Sequence, residues 1–357
     1  MIALLLGGLS SFSQVVKSKK NYLTICSFNV YKFGAIDIKY KEISAKLKKP
    51  DFVRSATSFT IPGRIKNCAE VLSKGEFDLI VLQEVKSGAV GDSVLKDLTN
   101  ELNSYYGGKF KWLTSEKIGK GMGMYECMAF LYDSTKVALI TQNGQLSSTI
   151  SCDEPKNRKY VKTCWKAGKF DFTLISCHFA WNGKDYTRRL ADYRKLNHML
   201  HHPLEYSNDP DLIVVGDFNR FGGPFKKSEN QFGIQNISYD SLLFRVPHVA
   251  HFDREIIKLK EVGKQEGDST IQQYSTTVAN GNAYVYDLFW ITSDVLEEYK
   301  LSGNQINQDF GVLVYDETWG NAYVKGTEQL SASDLKKQFS DHRPIWMRFK
   351  INTNNED

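Results

Sequence analysis

A chain of 357 residues with 41% hydrophobic content can bury a substantial core, and length alone would allow two domains. Its net charge of +5, from 46 basic and 41 acidic residues, suits a solvated surface as well as a polyanionic partner, so charge identifies neither. No apolar run is long enough to cross a bilayer, and no Pro/Gly/Ser-rich linker, repeat or low-complexity stretch marks a boundary, which predicts one domain over 22–352.

In chain order, Met1 to Gln14 carry no charged side chain and include Ile2-Ala3-Leu4-Leu5-Leu6, followed by small residues around Ser11-Phe12-Ser13. This resembles a secretory signal peptide and predicts a secreted or periplasmic protein; an apolar N-terminal segment that simply packs is the alternative. Tyr22 to Val30 reads as a strand, and Ile61 to Lys74 as a helix stopped by Gly75. A strand follows at Phe77 to Gln83 and a helix at Val94 to Tyr105. Met124 to Tyr132 and Lys136 to Gln142 read as strands paired around Asp133-Ser134-Thr135. Tyr160 to Trp165 and Lys169 to His178 form a hairpin around Ala167-Gly168, and Thr187 to His201 a helix. Strands return at Leu212 to Val215, Tyr284 to Thr292 and Ile345 to Lys350, with a helix expected between Asp253 and Val262. Early strand–helix alternation and later hairpins predict an α+β arrangement of two packed sheets with helices outside.

Lysine-rich clusters lie at Lys17-Ser18-Lys19-Lys20, Lys46 to Lys49 and Lys156-Asn157-Arg158-Lys159, and each reads as a solvated face or as support for a phosphate-bearing substrate. The six cysteines do not form a disulfide framework, since Cys26 and Cys177 lie inside apolar strands. Cys152 and Cys164 flank a turn-like segment, and a bridge between them stays open. No Cys/His spacing points to structural zinc.

Five polar pieces sit at strand ends: Ser27-Phe28-Asn29, Leu82-Gln83-Glu84, Ser176-Cys177-His178, Gly216-Asp217-Phe218-Asn219 and Ser340-Asp341-His342-Arg343-Pro344. Four follow or include apolar runs, and the fifth precedes Ile345-Trp346-Met347-Arg348-Phe349. Carboxylates, amides and imidazoles delivered to strand ends can converge above a sheet. Hard oxygen ligands suit Mg²⁺, and His and Asn suit protons and phosphoryl oxygens.

Asn29, Gln83-Glu84, His178, the GDFN piece, Tyr286-Asp287 and the SDHRP piece occur in the order of the endonuclease/exonuclease/phosphatase superfamily, and 22–350 resembles its deoxyribonuclease I-like members. The resemblance implies a four-layer α/β sandwich and Mg²⁺-dependent phosphoester cleavage, with Mn²⁺ or Ca²⁺ as substitutes. It implies Glu84, Asn29 and Asp341 as the metal set. His342, hydrogen-bonded by Asp287, and His178, partnered by Glu126, would be the catalytic histidines. Asp217 would orient or deprotonate water, Asn219 would hold a phosphoryl oxygen, and Arg158 would bind phosphate. The i, i+2 spacing of Asp217 and Asn219 puts both on one side of an extended backbone; an Asx-capped turn is the alternative. Trp165, Trp181 and Tyr186 read either as core residues or as platforms for a base.

The reading that follows is an exported, Mg²⁺-dependent endonuclease acting on DNA as a monomer. Alternatives are a phosphatase or lipid phosphodiesterase of the inositol phosphate or sphingomyelin type, or a binding subunit that retains the fold without catalysis. The segment Phe221 to Asn282 would set specificity.

Overall fold

The computed structural model describes residues 21–34, 61–121, 124–141, 144–181, 186–219, 277, 286–292, 294–299, 310–313, 315, 335–336 and 338–352. The signal-like segment, the two N-terminal lysine clusters, the helix expected at 253–262 and, Thr277 apart, the segment 221–282 lie outside them.

The strands are β1 (Tyr22–Phe33), β2 (Leu79–Lys86), β3 (Phe110–Thr114), β4 (Gly119–Gly121), β5 (Met124–Asp133), β6 (Ala138–Ile140) and β7 (Ser148–Ile150). After them come β8 (Tyr160–Ala167), β9 (Phe170–His178), β10 (Leu212–Asp217), β11 (Asp287–Ile291), β12 (Phe310–Val312) and β13 (Ile345–Lys350). The helices are α1 (Ile61–Lys74), α2 (Ala89–Tyr106), α3 (Tyr186–His201), α4 (Pro203–Tyr206) and α5 (Leu296–Tyr299). One sheet runs β12–β13–β1–β2–β5–β3 with β4 on β5; the other runs β11–β10–β9–β8–β6 with β7 on β8. Both are mixed, with β1/β2 and β9/β10 as parallel pairs beside antiparallel ones.

The period-2 alternation of side chains sorts the strands of the first sheet into two faces. Leu23 and Ile25 of β1, Leu79 and Val81 of β2, and Met128 and Phe130 of β5 join the apolar cluster between the sheets. Their sequence neighbours Cys26, Phe28, Ile80, Leu82, Cys127, Ala129 and Leu131 join a second cluster with Ile65, Cys68, Ala69 and Leu72 of α1 and Leu95 and Leu98 of α2. Leu196, Met199 and Leu200 of α3 pack into the first cluster with the second sheet. The result is a four-layer α/β sandwich of helices, sheet, sheet and helix, as the motifs imply. Each fully buried Leu, Ile or Phe in these layers contributes about 1.5–3 kcal/mol.

Three local expectations change. The predicted β5/β6 hairpin does not form, because β5 pairs with β2 and β3 while β6 pairs with β8 in the other sheet. The chain changes sheets at Asp133, whose Oδ1 accepts Thr135 N (3.0 Å) and Thr135 Oγ1 (2.6 Å). Beyond α1 the left-handed residue is Glu76 (φ 46°) rather than Gly75. All six cysteines are free: Cys164 faces Thr173 Oγ1 at 3.5 Å and Cys152 faces Asn157 Nδ2 at 3.5 Å, so no bridge joins them.

The β8/β9 hairpin forms as predicted, its turn passing through Gly168 (φ 61°). Trp165, on β8, is a core residue that packs against Phe130 and Tyr132, not a platform for a base.

Candidate active site

Along each inner row the apolar residues give way to polar ones at the strand end. Ser27 and Asn29 continue the row of Leu23 and Ile25, and Gln83 continues that of Leu79 and Val81. Gln83 Nε2 donates to Ser27 Oγ at 3.1 Å, closing the core beneath the site. Glu84 has the parity of the opposite face, and the backbone turns it back. Its φ is 58°, and the β2/β5 register shifts between Leu82 and Val85. The carboxylate then accepts Asn29 Nδ2 (3.2 Å) and Lys32 N (3.0 Å). Tyr31 and Lys32 are also left-handed (φ 42° and 51°), and Tyr31 N donates to Asn29 Oδ1 at 3.0 Å. Left-handed non-glycine residues are costly, and their concentration here marks a locally constrained bulge.

The second sheet needs only its register. Asp217 on β10 lies opposite His178 on β9 and Asp287 on β11, so three candidate functional side chains form one row. Gly216 makes this possible: its φ is 148°, and a Cβ there would lie 1.9 Å from the Cys177 carbonyl oxygen. Asn29 Nδ2 reaches Asp217 Oδ2 at 2.9 Å and joins the two sheets.

Each imidazole is held at Nδ1 by its own carboxylate. Glu126, on the inner row of β5 with Met128 and Phe130, lies 3.0 Å from His178 Nδ1. Asp287 Oδ2 lies 2.7 Å from His342 Nδ1. The opposite nitrogens converge on Asp217 Oδ2, His178 Nε2 at 3.5 Å and His342 Nε2 at 3.7 Å, and His178 Nε2 is also 3.8 Å from Glu84 Oε1. Asp217, Asp287 and His342 present ligand atoms within 4.8 Å of one another.

Electrostatics follow from this packing. Burial and the Arg158 charge push the His178 pKa down, but Glu126 and Asp217 outweigh them and the net shift is upward. Burial likewise opposes the His342 cation, yet Asp287 and Asp217 hold its pKa well above the ordinary 6.5. Burial would raise Glu126, but His178 and Arg158 lower it to about 2. His178 and Arg158 thus favour the charged form of Glu126, which in turn favours a proton on Nδ1 of His178 and leaves Nε2 facing Asp217.

Two predicted phosphate ligands are committed elsewhere. Arg158 pairs with Glu126 (Nε to Oε2, 2.7 Å) and donates Nη1 to the Phe179 carbonyl at 3.2 Å, so it serves as the counter-charge of Glu126. Asn219 is left-handed (φ 46°), its backbone N donates to Asp217 Oδ1 at 2.8 Å, and its Nδ2 donates to the Phe179 carbonyl at 2.9 Å. The extended spacing therefore does not hold, because the chain makes an Asx turn as soon as β10 ends. Asp341 lies before His342 with one oxygen ion-paired to Lys336; its Oδ1 is buried and has no hydrogen-bond partner among the described residues.

Sequence reasoning passed over two supporting residues, Arg64 and Asp192, and named a third, Ser340, without giving it a role. Arg64 of α1, 1% exposed, donates Nη2 to the carbonyls of Val30 (2.5 Å), Tyr31 (2.7 Å) and Phe339 (3.1 Å), tying the β1 bulge to the segment before Ser340. Its signal was an arginine one turn before Cys68 on the apolar face of a helix. Ser340 Oγ donates to Asn29 O at 2.6 Å and accepts His342 N at 3.1 Å. Asp192 of α3 accepts Tyr160 OH (2.6 Å) and Ala180 N (2.8 Å), fixing the backbone that follows His178.

No protein-family model and no curated protein sequence matches the chain. Solved structures do. An endonuclease/exonuclease/phosphatase family protein from Bacteroides thetaiotaomicron is 14% identical, covering 93% of this chain and 98% of its own, with a TM-score of 0.52. Truncated TDP2 from Caenorhabditis elegans is 15% identical (92% and 98% covered) with a TM-score of 0.50. A mannosyl-6-phosphatase from B. thetaiotaomicron is 14% identical (92% and 99% covered), also with a TM-score of 0.50. The chain thus has the deoxyribonuclease I-like fold of the endonuclease/exonuclease/phosphatase proteins, the architecture its five polar pieces resemble.

Proposed function

We propose that the chain is a divalent-metal-dependent phosphodiesterase that hydrolyses nucleic acid, with DNA the favoured substrate and Mg²⁺ the favoured ion. One observation carries this reading: two imidazoles, each anchored at Nδ1 by a private carboxylate, present Nε2 to the same oxygen of Asp217. Phosphodiester hydrolysis needs a base for water and an acid for the leaving oxygen, and paired imidazoles supply both. One of His178 and His342 takes the proton of water oriented by Asp217, and the other returns a proton to the leaving sugar oxygen. Glu126 and Asp287 keep the rings in one orientation and favour their protonated forms.

The residues present fit a divalent cation. Glu84, Asp217 and Asp287 are 7%, 1% and 0% exposed, and such concentrated negative charge is costly to bury without a counter-charge. Two protonated imidazoles can offset it; an ion offsets it while leaving the imidazoles free to exchange protons. Glu84, Asn29 and Asp341, whose Oδ1 has no hydrogen-bond partner among the described residues, would hold the ion, which when bound would polarise a phosphoryl oxygen as a Lewis acid. Trp181, 62% exposed and three residues past His178, offers a ring on which a base can stack. Export belongs to the same reading and rests on the Met1 to Gln14 segment; the N-terminus of the mature secreted chain, read by sequencing, tests it.

The deciding experiment is nicking of supercoiled plasmid by the purified chain with Mg²⁺, with and without EDTA, beside Glu84→Ala. Nicking that vanishes with EDTA and in the variant is expected. Turnover of a phosphomonoester or phospholipid in place of plasmid by the folded, metal-loaded chain would move the assignment to the phosphatase or lipid branch.

A further inference from the structure

Three of the seven histidines fall within five positions at the end of α3, far in sequence from the polar pieces of the candidate active site: His198, His201 and His202. His198 and His202 are four apart, and their ring centroids are 4.7 Å apart. The α4 segment folds back and inserts Glu205 beside both. One carboxylate oxygen is 3.8 Å from His198 Nδ1 and the other 3.9 Å from His202 Nδ1. The side chains are 46%, 55% and 58% exposed, so packing does not impose this convergence. The His201 ring is farther off, 6.4 Å from that of His202.

We propose that His198, His202 and Glu205 form a surface site for a borderline divalent transition-metal ion, with Zn²⁺ the class representative. Two imidazoles and a carboxylate suit Zn²⁺, Cu²⁺ or Ni²⁺, whereas Mg²⁺ prefers oxygen ligands. Each Nδ1 lies 3.8 or 3.9 Å from its own oxygen of Glu205, against about 3.4 Å between two ligands about 2.0–2.1 Å from a tetrahedral zinc. The three residues do not already bring their ligand atoms together as Asp217, Asp287 and His342 do. Rotation of exposed side chains closes the remaining gap. Tyr206 OH, 2.8 Å from His198 Nδ1, is the competing partner, and its displacement is the cost of binding through that nitrogen. Lys195, 5.3 Å from the centre of the Tyr206 ring, is the nearby cation the ion must tolerate. An ion held here ties the last turn of α3 to α4, and α3 carries Asp192, which braces the backbone after His178. Occupancy should therefore stabilise the folded chain by mass action.

The test is calorimetric titration of the full chain with Zn²⁺ in excess Mg²⁺. The expected result is a saturable event weakened about tenfold or more in both His198→Ala and His202→Ala, whether or not Zn²⁺ also enters the candidate active site. It should survive in His201→Ala and in Glu84→Ala, and thermal melting should rise with Zn²⁺ in the wild type but not in His202→Ala. No saturable event, an equal loss in His201→Ala, or abolition by Glu84→Ala would each overturn the proposal.

Discussion

Glu84 and Asp217 are both buried carboxylates near strand ends, but the two sheets deliver them by different means. In the second sheet, register alone aligns His178, Asp217 and Asp287, and the local backbone demand falls on Gly216, a residue without a Cβ. In the first sheet, Glu84 begins on the wrong face and is turned inward by a bulge. Tyr31, Lys32 and Glu84 all adopt left-handed conformations there, and both neighbouring ladders lose register. A row of functional groups is therefore inexpensive where parity already agrees, and takes backbone strain plus an external clamp where it does not.

The largest test of this contrast removes the two proposed proton carriers, His178 at the end of β9 in the regular half and His342 ahead of β13 in the other sheet. His178→Ala and His342→Ala should each lower turnover about 10³–10⁴-fold, or about 4–5 kcal/mol of barrier, with circular dichroism unchanged. Next is Gly216→Ala. Its Cβ would meet the Cys177 carbonyl at 1.9 Å, so separation of β9 from β10 should cost about 3 kcal/mol in urea denaturation. A loss below about 1 kcal/mol would mean that the close approach is not what fixes the register.

Asp287→Asn keeps the shape and removes the charge, with an expected loss of about a hundredfold in kcat. The sign of its pH effect is set by His342, whose pKa is raised on folding despite burial. The His342–Asp287 pair contributes stability fully present below pH 6.5 and lost as pH rises through the raised value. In the variant His342 should lose its proton at lower pH, and the pH dependence of stability should flatten above 6.5 in denaturant titrations.

Two smaller predictions concern the strained half. Arg64→Lys keeps the charge but not the planar fork that reaches Val30, Tyr31 and Phe339, and should cost about 2 kcal/mol of stability with a matching fall in metal-dependent activity. Lys32→Gly removes a left-handed side-chain penalty while keeping the N–H that serves Glu84, and should be neutral to stabilising by up to about 1 kcal/mol. Destabilisation by more than that would show that the bulge is not under strain.

The same contrast explains what the sequence disclosed. Apolar runs such as Leu23-Thr24-Ile25-Cys26 and Leu212-Ile213-Val214-Val215 revealed the strands, and parity carried their faces to Asn29 and Asp217. The pairing of His178 with Glu126 and of His342 with Asp287 was implied by the resemblance, and the structure places both carboxylates on Nδ1. Failures came where one residue leaves the regular backbone. The Asx turn at Asn219 broke the extended spacing, and no local pattern shows that Arg158 answers to Glu126 across 32 positions. The assignment of β5 and β6 to different sheets was equally hidden, since a turn at Asp133 looks the same whether the chain returns or departs.

The pairing of β1 with β13, from Tyr22 opposite Lys350 to Ser27 opposite Ile345, has a consequence for the chain during its synthesis. Among the described strands β1 is made before all others and β13 after them, so β1 has no partner on that side until β13 leaves the ribosome. His342, which leads into β13, cannot take its place beside Asp287 earlier. A nascent chain can therefore build most of its core before the candidate site is complete, and under the proposed function the onset of turnover would time the docking of β13.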